Sequence, residues 1–150
     1  MSSTETILVL NGPNLSRLDL RERTHYGELN YPQLHKLVED VAQELGLKVD
    51  IRQSDDEATL IGWLHEAADH SHPVIFNPAA FTHYSVAIRD AAALLRAPLI
   101  EVHLSNPLAR EEFRHTSMIA GVATGTIGGF KEDSYRLALI AMKGLIEANQ

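Results

Sequence analysis

Polar residues that could bind or react with a ligand follow three separate apolar stretches of the sequence. The residues at 11–14 (Asn-Gly-Pro-Asn) come directly after the apolar residues 7–10. Residues 77–83 and 103–106 each follow a similar apolar stretch. In open α/β sheets the carboxyl ends of the strands lie at one edge, and ligands bind beside that edge. If the apolar stretches are strands, the three polar groups converge on one site.

Glu101 and His103 form a candidate pair for proton transfer. They lie two residues apart in a stretch predicted to be a strand, so their side chains share one face of the sheet. A carboxylate in that position can orient an imidazole and favour its charged form. A histidine within a strand is commonly structural, so a structural and a catalytic role both stay open. Tyr26, His83 and several arginines are the other candidates for acid–base chemistry.

Positive charge is concentrated in two short stretches of a chain whose formal net charge is −7. This arrangement predicts a small anionic ligand, whereas the overall charge argues against nucleic acid or an anionic membrane as a partner. The first stretch, residues 15–27, has no clear helical or strand period, and we predict a functional loop there, with a solvated connector as the alternative. Five of the nine arginines lie in the two stretches: Arg17, Arg21, Arg23, Arg110 and Arg114.

Other classes of site are disfavoured by motifs that the sequence lacks. Residues 11–14 do not supply the G-x-G-x-x-G of a dinucleotide site, and no P-loop sequence is present. Eight histidines occur without metal-ligand spacing and no cysteine is present, so we predict no metal site, no disulfide and no thiolate nucleophile. None of the four lysines lies at a predicted strand end, which disfavours a Schiff base. No signal peptide or membrane-spanning apolar stretch is recognisable, so a cytoplasmic location is expected.

Helices and strands alternate along the chain, which favours a parallel sheet with helices on both faces. Five strands in 150 residues indicate a flavodoxin-like, doubly wound fold, and we expect residues 1–150 to form a single domain.

A helix with apolar positions between 34 and 45 is predicted to begin at Asn30 and Pro32 and to end at Gly46. Ser54 and Glu57 predict a capping box for the next helix. The other predicted elements are strands at 47–52 (near an edge of the sheet), 73–77, 98–104 and 120–127, a helix with Val86, Ala87, Ala91, Leu94 and Leu95 buried, a short helix or turn at 108–114, and a closing helix with Leu137, Ala138, Ala141 and Leu145 buried.

Six motifs occur in order along the chain. They are Asn-Gly-Pro-Asn-Leu at 11–15, Arg-Glu at 21–22 with Tyr-Gly at 26–27, Asn-Pro at 77–78 with Thr-His at 82–83, Ala-Ile-Arg-Asp-Ala at 87–91, Glu-Val-His-Leu-Ser-Asn-Pro at 101–107 and Arg-Glu-Glu-Phe-Arg at 110–114. Together they resemble the type II 3-dehydroquinate dehydratases over nearly the whole chain. Three positions depart from the family's pattern: Arg23 stands where proline is usual, Ala79 where glycine is usual, and Tyr84 where a small polar residue is common. Arg23 and Tyr84 are expected to affect the lid or substrate affinity, and no departure removes a chemical group.

The resemblance implies a cofactor-free hydro-lyase of the shikimate or quinate pathway, with a flavodoxin-like fold and trimers assembled into a dodecamer. The implied reaction is the reversible anti elimination of water from 3-dehydroquinate to 3-dehydroshikimate through an enolate. Tyr26 would be the base that removes the C2 proton, and Arg21 would keep it ionised. His103, oriented by Glu101, would protonate the departing C1 hydroxyl, and Asn14 would hold the water that stabilises the enolate.

The same resemblance implies a lid and a set of substrate-binding groups. The loop at about 18–26 would close over the substrate. Burial opposes a charged tyrosine, so Arg110 is expected to assist Arg21. The implied binding groups are Asn77, His83, Arg114, the backbone at Leu104 and Ser105, and Asp90 of a neighbouring subunit.

Helix geometry bears on the role of Asp90. If His83 and Asp90 both lie on the third long helix, they are separated by about 10 Å along its axis, too far for one small acid to touch both. Asp90 would then be free to enter the site of an adjacent subunit in a homo-oligomer. A non-catalytic module that binds a small carboxylate in the same pocket is the alternative from another functional class.

Overall fold

The computed structural model describes residues 5–149 and contains one five-stranded, wholly parallel sheet. Its strands are β1 (Thr6–Asn11), β2 (Lys48–Gln53), β3 (Val74–Asn77), β4 (Leu99–His103) and β5 (Gly125–Gly128), and its helices are α1 (Arg23–Tyr26), α2 (Tyr31–Leu45), α3 (Glu57–His70), α4 (Val86–Ala92) and α5 (Asp133–Ala148). The strand order β2-β1-β3-β4-β5 is the flavodoxin-like arrangement that the sequence predicted. The edge position predicted for β2 is also confirmed.

Two apolar cores lie on opposite faces of the sheet. Ile7 and Val9 of β1 pack in the core that includes residues of α2 and α5. Leu8 and Leu10 point the other way and pack with residues of α3 and α4. The alternation of side chains along a strand therefore explains why helices cover both faces. β3 is buried along its whole length, as expected for a central strand.

The ends of α2 follow the signals in its sequence. The Asn30 side chain accepts the N–H of Gln33, and the Gln33 side chain accepts the N–H of Asn30, which satisfies two N–H groups at the start of the helix. Pro32 lies in the first turn, where its missing N–H costs nothing. Gly46 ends the helix with a φ of 72°, in the left-handed region that favours glycine.

The capping box predicted for α3 is wrong. Ser54 does not cap the helix; its side chain accepts the N–H of Asp56. Asp56 is the capping residue, and its carboxylate accepts the N–H of Thr59 at 3.1 Å. Asp56 directly precedes the first helical residue, so its oxygen reaches the N–H groups of the first turn, which Ser54 is too far back to do.

The buried faces predicted for the last two helices need correction. In α4 the buried residues are Ile88, Ala91 and Ala92, whereas Val86 and Leu94 are exposed. The helix ends at Ala92, so a stripe that extends to Leu94 assumes a helix longer than the real one. In α5, Leu137 and Ala141 are exposed. The residues of α5 that face the sheet are Tyr135, Ala138, Leu139, Met142 and Ile146.

The segment between β4 and α5 is more irregular than predicted. Residues Pro107–Ala109 and Glu112–Arg114 form two short 3₁₀ turns, which agrees with a turn rather than a helix. Residues Ala120–Val122 form a third 3₁₀ turn, so the final strand covers only Gly125–Gly128. Among residues 5–149, no helix has the length and apolar content that crossing a bilayer requires.

Candidate active site

The candidate site lies beyond the carboxyl ends of β1, β3 and β4. β1 pairs with β2 on one side and β3 on the other, so the chain changes its direction of winding between β1 and β3. Gly12 follows β1 at this point, and its N–H donates to the carbonyl of Asn77 at 2.8 Å. A Cβ on Gly12 would lie 2.5 Å from the carbonyl oxygen of Pro78. Glycine therefore allows the two strand ends to approach this closely.

Tyr26 is buried, and its hydroxyl is held by two arginines. The guanidinium groups of Arg21 and Arg110 both donate hydrogen bonds to this oxygen, that of Arg110 at 2.5 Å. The guanidinium carbon of Arg21 also lies 3.9 Å from the centre of the Tyr26 ring. Burial, together with the positive charges of Arg110 and Arg114, lowers the pKa of Arg21. An oxygen that accepts hydrogen bonds from two cations is stabilised in its ionised form.

The segment that carries Tyr26 is anchored by buried side chains. Residues Leu15–Leu20 form a 3₁₀ segment with a kink at Arg17, and α1 is a single helical turn, although the sequence showed no clear helical period here. Leu15 and Leu18 pack in the same core as Tyr26. Most residues between Leu18 and Tyr26 are exposed. The segment proposed as a lid is thus attached to the core at both ends and open to solvent between them.

Glu101 and His103 are in contact on β4. Nε2 of His103 donates to Oε2 of Glu101 at 2.5 Å, and Glu101 is only 2% exposed. Thr82 Oγ1 donates to the same oxygen at 2.5 Å, and Ser117 Oγ donates to Oε1 at 2.7 Å. Burial by itself would raise the pKa of Glu101, but the hydrogen bonds from His103, Thr82 and Ser117 outweigh it and lower the pKa. Because Nε2 is occupied, Nδ1 is the nitrogen of His103 that remains for a ligand.

His83 lies beside His103, with the two rings nearly parallel and their centres 6.5 Å apart. Nδ1 of His83 donates to the carbonyl of Thr116 at 2.9 Å. Burial lowers the pKa of His83, and the nearby positive charge of Arg114 acts in the same direction. A neutral His83 in this tautomer presents Nε2 as a hydrogen-bond acceptor, which suits a hydroxyl group of a ligand.

Asn77 ends β3, and buried groups fix its side chain. Its Oδ1 accepts the N–H of Ala79 at 3.0 Å, and its Nδ2 donates to the hydroxyl of Tyr135 at 2.9 Å. Tyr135 donates in turn to Oδ1 of Asn11 at 2.5 Å. Burial raises the pKa of Tyr135, so its hydroxyl keeps the proton that it donates. These bonds leave the second N–H of the Asn77 amide for a ligand.

A cavity of about 130 Å³ joins most of these groups. Three arginines and two histidines line it, and none of the described residues in its wall is acidic, so it suits a small anion. A second cavity of about 370 Å³ shares His83 and His103 with the first, and Glu101 is also part of its lining. The predicted residues that line the first cavity are Asn14, Arg21, Tyr26, Asn77, His83, His103, Leu104, Ser105, Arg110 and Arg114.

Asp90 is not brought to the cavity within one chain. It lies on α4, is 65% exposed and pairs with the adjacent Arg89 at 3.0 Å. The premise that His83 shares this helix is wrong, because His83 ends the separate 3₁₀ segment Ala79–His83. The chain turns between the two residues at Ser85, whose side chain caps α4 by accepting the N–H of Ile88. His83 therefore faces the cavity, while Asp90 remains on the outer surface of the helix.

Two backbone conformations at the site explain residue choices. Asn14 has a φ of 71°, which asparagine tolerates better than most residues, and its N–H donates to Asp55 at 2.9 Å. Ala79 has a φ of 54°, in the region that favours glycine, so its backbone conformation is one that glycine would adopt with less strain. Of the other two departures, Arg23 and Tyr84 are both exposed.

Sequence reasoning missed three residues that support the site: Thr82, Ser117 and Tyr135. The contact between Thr82 and Glu101 spans 19 positions, and spacing along the chain does not reveal it. Of the three, only Tyr135 could have been found from the sequence, because a tyrosine on the buried face of a helix needs a hydrogen-bond partner for its hydroxyl. Within residues 5–149, no group of three or more His, Cys, Asp or Glu residues is arranged to hold a metal ion, and no lysine lines the cavity of about 130 Å³.

Comparison with known sequences gives consistent matches along the chain. The family model described as dehydroquinase class II matches residues 5–143. A 3-dehydroquinate dehydratase from Salinispora tropica is 59% identical over 133 residues, which cover 89% of this chain and 93% of the relative. A 3-dehydroquinate dehydratase from Halalkalibacterium halodurans is 52% identical over 138 residues, which cover 92% of this chain and 95% of the relative.

Solved structures show the same similarity. The crystal structure of a type II dehydroquinase from Propionibacterium acnes superposes with a TM-score of 0.91 at 49% identity and covers 94% of this chain and 97% of its own. The type II dehydroquinase from Butyrivibrio crossotus gives a TM-score of 0.90 at 39% identity, with 94% of this chain and 99% of its own covered. The similarity therefore extends over the whole sheet and all of the elements that form the site.

Proposed function

The chain belongs to the class II dehydroquinase family and is a hydro-lyase acting on 3-dehydroquinate, and on this premise we propose that Tyr26 and His103 share the proton transfers. Tyr26 removes the proton at C2, which gives an enolate, and His103 protonates the hydroxyl at C1, which leaves as water. The observation that carries the assignment is that Tyr26 and His103 line one small cavity, each already held by groups of opposite charge.

The base is prepared by Arg21 and Arg110. Two unit charges about 4 Å apart interact with roughly 4 kcal/mol at an intermediate effective dielectric, so even one guanidinium offsets much of the cost of a phenolate. Both guanidinium groups donate directly to the Tyr26 oxygen, and the cavity offers this oxygen no acidic neighbour among the described residues. A phenolate oxygen in this position can take a proton from an acidic C–H group next to a ketone.

The acid is prepared by Glu101. Its buried carboxylate holds Nε2 of His103 at 2.5 Å, which stabilises the charged imidazole and aims the opposite nitrogen away from the carboxylate. The imidazolium can then give its Nδ1 proton to the leaving hydroxyl. Because the proton goes to an oxygen that departs as water, the step needs neither a metal ion nor a lysine, and we propose that the enzyme uses no cofactor.

The remaining groups of the cavity suit binding of the substrate. Arg114 provides positive charge for the carboxylate of the substrate. Backbone groups at Leu104 and Ser105 line the same cavity and bind this carboxylate as well. His83 and Asn77 provide an acceptor and a donor for the ring hydroxyls. Asn14, in the turn after β1, also lines this cavity, which supports a role in holding a water molecule against the enolate.

A direct assay tests the activity. The product contains a carbonyl conjugated to a carbon–carbon double bond and absorbs in the near ultraviolet, whereas 3-dehydroquinate does not. Purified protein added to 3-dehydroquinate should therefore raise the absorbance, and His103→Ala should abolish the rise. A protein that binds the substrate and leaves the absorbance unchanged would be the non-catalytic binding module.

Covalent and metal-dependent mechanisms can be tested separately. Borohydride added with substrate should leave the enzyme active, because no lysine lines the cavity of about 130 Å³ in the described part of the chain. EDTA should have no effect on the rate. A lysine adduct trapped by borohydride, or loss of activity in EDTA, would contradict this mechanism.

We propose that the chain assembles into trimers and a dodecamer, and that Asp90 completes the site of a neighbouring subunit. The exposed position of Asp90, away from the cavity of its own chain, supports this role. Subunit mixing tests it: His103→Ala and Asp90→Ala proteins are dissociated and reassembled together. Hybrid sites that regain both groups should restore turnover, whereas verified exchange without any recovery would show that Asp90 does not act across subunits.

A cytoplasmic location is compatible with a chain that has no cysteine to form disulfides.

A further inference from the structure

Thr82 and Ser117 have hydroxyl groups that the proposed reaction does not use. Thr82 is buried, with 1% of its surface exposed, and it comes from the 3₁₀ segment after β3. Ser117 lies in the loop before the 3₁₀ turn Ala120–Val122. The two segments are joined where the N–H of Met118 donates to the carbonyl of Thr82 at 2.7 Å. Their hydroxyl oxygens lie 3.0 Å apart, next to Glu101.

Each hydroxyl holds a different oxygen of the Glu101 carboxylate. Thr82 donates to Oε2, the oxygen that also accepts from His103, and Ser117 donates to Oε1. The Ser117 oxygen is itself fixed by the N–H groups of Ile119 and Ala120, at 3.1 and 3.0 Å. A carboxylate held through both oxygens cannot rotate, so its Oε2 stays aimed at the imidazole.

The pattern of hydrogen bonds around Glu101 favours its ionised form. Each hydroxyl has one hydrogen. If both hydroxyls donate to Glu101, neither has a hydrogen left for a hydrogen bond between Thr82 and Ser117. With His103 as the third donor, the carboxylate accepts three hydrogen bonds, which favours its ionised form over the protonated acid. Removal of either hydroxyl would make the ionised form of Glu101 less stable. The carboxylate could then rotate or take up a proton.

We infer that Thr82 and Ser117 are positioning residues for the acid of the reaction: they hold Glu101 as a fixed anion, and through it they set the tautomer and orientation of His103. The inference rests on the proposed role of His103. Thr82 and Ser117 line the cavity of about 370 Å³ and not the cavity in which Tyr26 lies, so the effect of removing a hydroxyl is expected in the catalytic step and not in substrate binding.

Matched variants separate the hydroxyl from the rest of the side chain. Thr82→Val keeps the shape of the buried side chain without the hydroxyl, and Thr82→Ser keeps the hydroxyl. Ser117→Ala tests the second donor. Thr59→Val is the control, because Thr59 also donates its hydroxyl to a carboxylate, that of Asp56 at 2.6 Å, but neither residue lines either cavity around His103.

Rates are measured under single-turnover conditions, so that product release does not limit them, together with KM and the thermal unfolding midpoint. Thr82→Val and Ser117→Ala should lower the rate about 10-fold, the size expected for loss of a hydrogen bond to a charged group, with KM within about 2-fold of the parent. Thr82→Ser and Thr59→Val should retain the parental rate. A merely structural role would lower the unfolding midpoint of Thr82→Val and leave its rate unchanged.

The pH profile gives a second readout. His103 must be protonated to act. The charged or titratable groups that line the cavity of about 370 Å³ with it are Glu101, His83, Arg114 and His115, and Tyr26, Arg21 and Arg110 line the cavity of about 130 Å³. In Thr82→Val the ionised form of Glu101 is less stable, so the decline of the rate at high pH should begin at a lower pH than in the parent. Thr82→Ser keeps the hydroxyl and should show no such shift. An unchanged limb and rate in Thr82→Val, or equal damage in Thr82→Ser, would overturn the inference. Full activity of His103→Ala would instead reject the proposed role of His103.

Discussion

The proposed acid and the proposed base face the same cavity, but the protein holds them in different ways. His103 lies at the end of β4, and its partner Glu101 is buried among hydrogen-bond donors that come from two further segments. Tyr26 lies on a surface segment that the core holds only through a few apolar side chains. The acid is thus fixed by the sheet itself, whereas the base depends on the position of a loop and on two arginines.

This difference indicates how each group obtains its charge. Glu101 is buried, and hydrogen bonds from His103, Thr82 and Ser117 stabilise its anion, which in turn favours the charged form of His103. Tyr26 is stabilised by cations that are also available to bind an anionic substrate. Changes near Tyr26 should therefore affect the site through charge and loop position, and changes near His103 through local geometry and stability.

The largest effect is expected at the base itself. Tyr26→Phe removes the oxygen that takes the proton, so turnover should fall about 10³-fold, as for loss of a general base, with substrate binding nearly unchanged. The measurement is the rise in absorbance of the product, with calorimetry or a substrate analogue for binding. Tyr84→Phe, at an exposed tyrosine outside the cavity of about 130 Å³, should keep the parental rate of the catalytic step, and any effect of this position should appear in KM. Substantial turnover in Tyr26→Phe would show that another group removes the proton.

A smaller but still large loss is expected for Arg21→Ala. Without this cation the phenolate is less stable, so the rate should fall about 10²-fold, the loss typical of one electrostatic contact in an active site. Arg17→Ala is the matched control in the same segment, because Arg17 pairs with Asp19 at 3.2 Å at the surface. Equal rates for the two variants would mean that Arg110 alone supports Tyr26.

A change of several-fold is expected in proteolysis of the segment at about 18–26. If it opens without substrate and closes over it, a substrate analogue should slow trypsin cleavage after Arg21 and Arg23. Cleavage after Arg96, which is exposed beyond α4, provides an internal reference. The same slowing at Arg96, or no slowing at either arginine of the segment, would count against a lid that closes on the ligand.

The smallest effect is expected in the pH dependence of stability. Because the folded state lowers the pKa of Glu101, its charge stabilises the fold above the pKa of the unfolded chain, and this contribution is lost as the pH falls through the folded pKa. Between about pH 5 and about pH 3, a range that begins just above the usual pKa of a glutamate, the urea midpoint of the parent should therefore fall further than that of Glu101→Gln. Glu147→Gln, at an exposed position on α5, should behave like the parent.

The pattern of the sequence was sufficient for the fold. Apolar stretches alternate with amphipathic helices, and this alternation predicted the parallel sheet and the flavodoxin-like fold. The apolar–polar alternation of residues 47–52 predicted the edge position of β2. The errors occurred where packing decides between neighbouring residues, as at Leu94 and Leu137, which fit a helical period but lie outside the buried face. The cap of α3 at Asp56 was missed for a similar reason, because two capping residues lie close together and geometry chooses one.

The sequence by itself also determined which strand ends carry the candidate site residues, since polar residues after apolar strands are visible in the chain order. Spacing predicted the contact between Glu101 and His103, because residues two apart on a strand must share a face. Only the tertiary structure decided which donors surround Glu101, which arginines reach the Tyr26 hydroxyl, and that Asp90 stays outside the cavity of its own chain. These contacts join residues far apart in sequence, and hydrogen bonds depend on distances and angles that exist only after the sheet and its loops have packed.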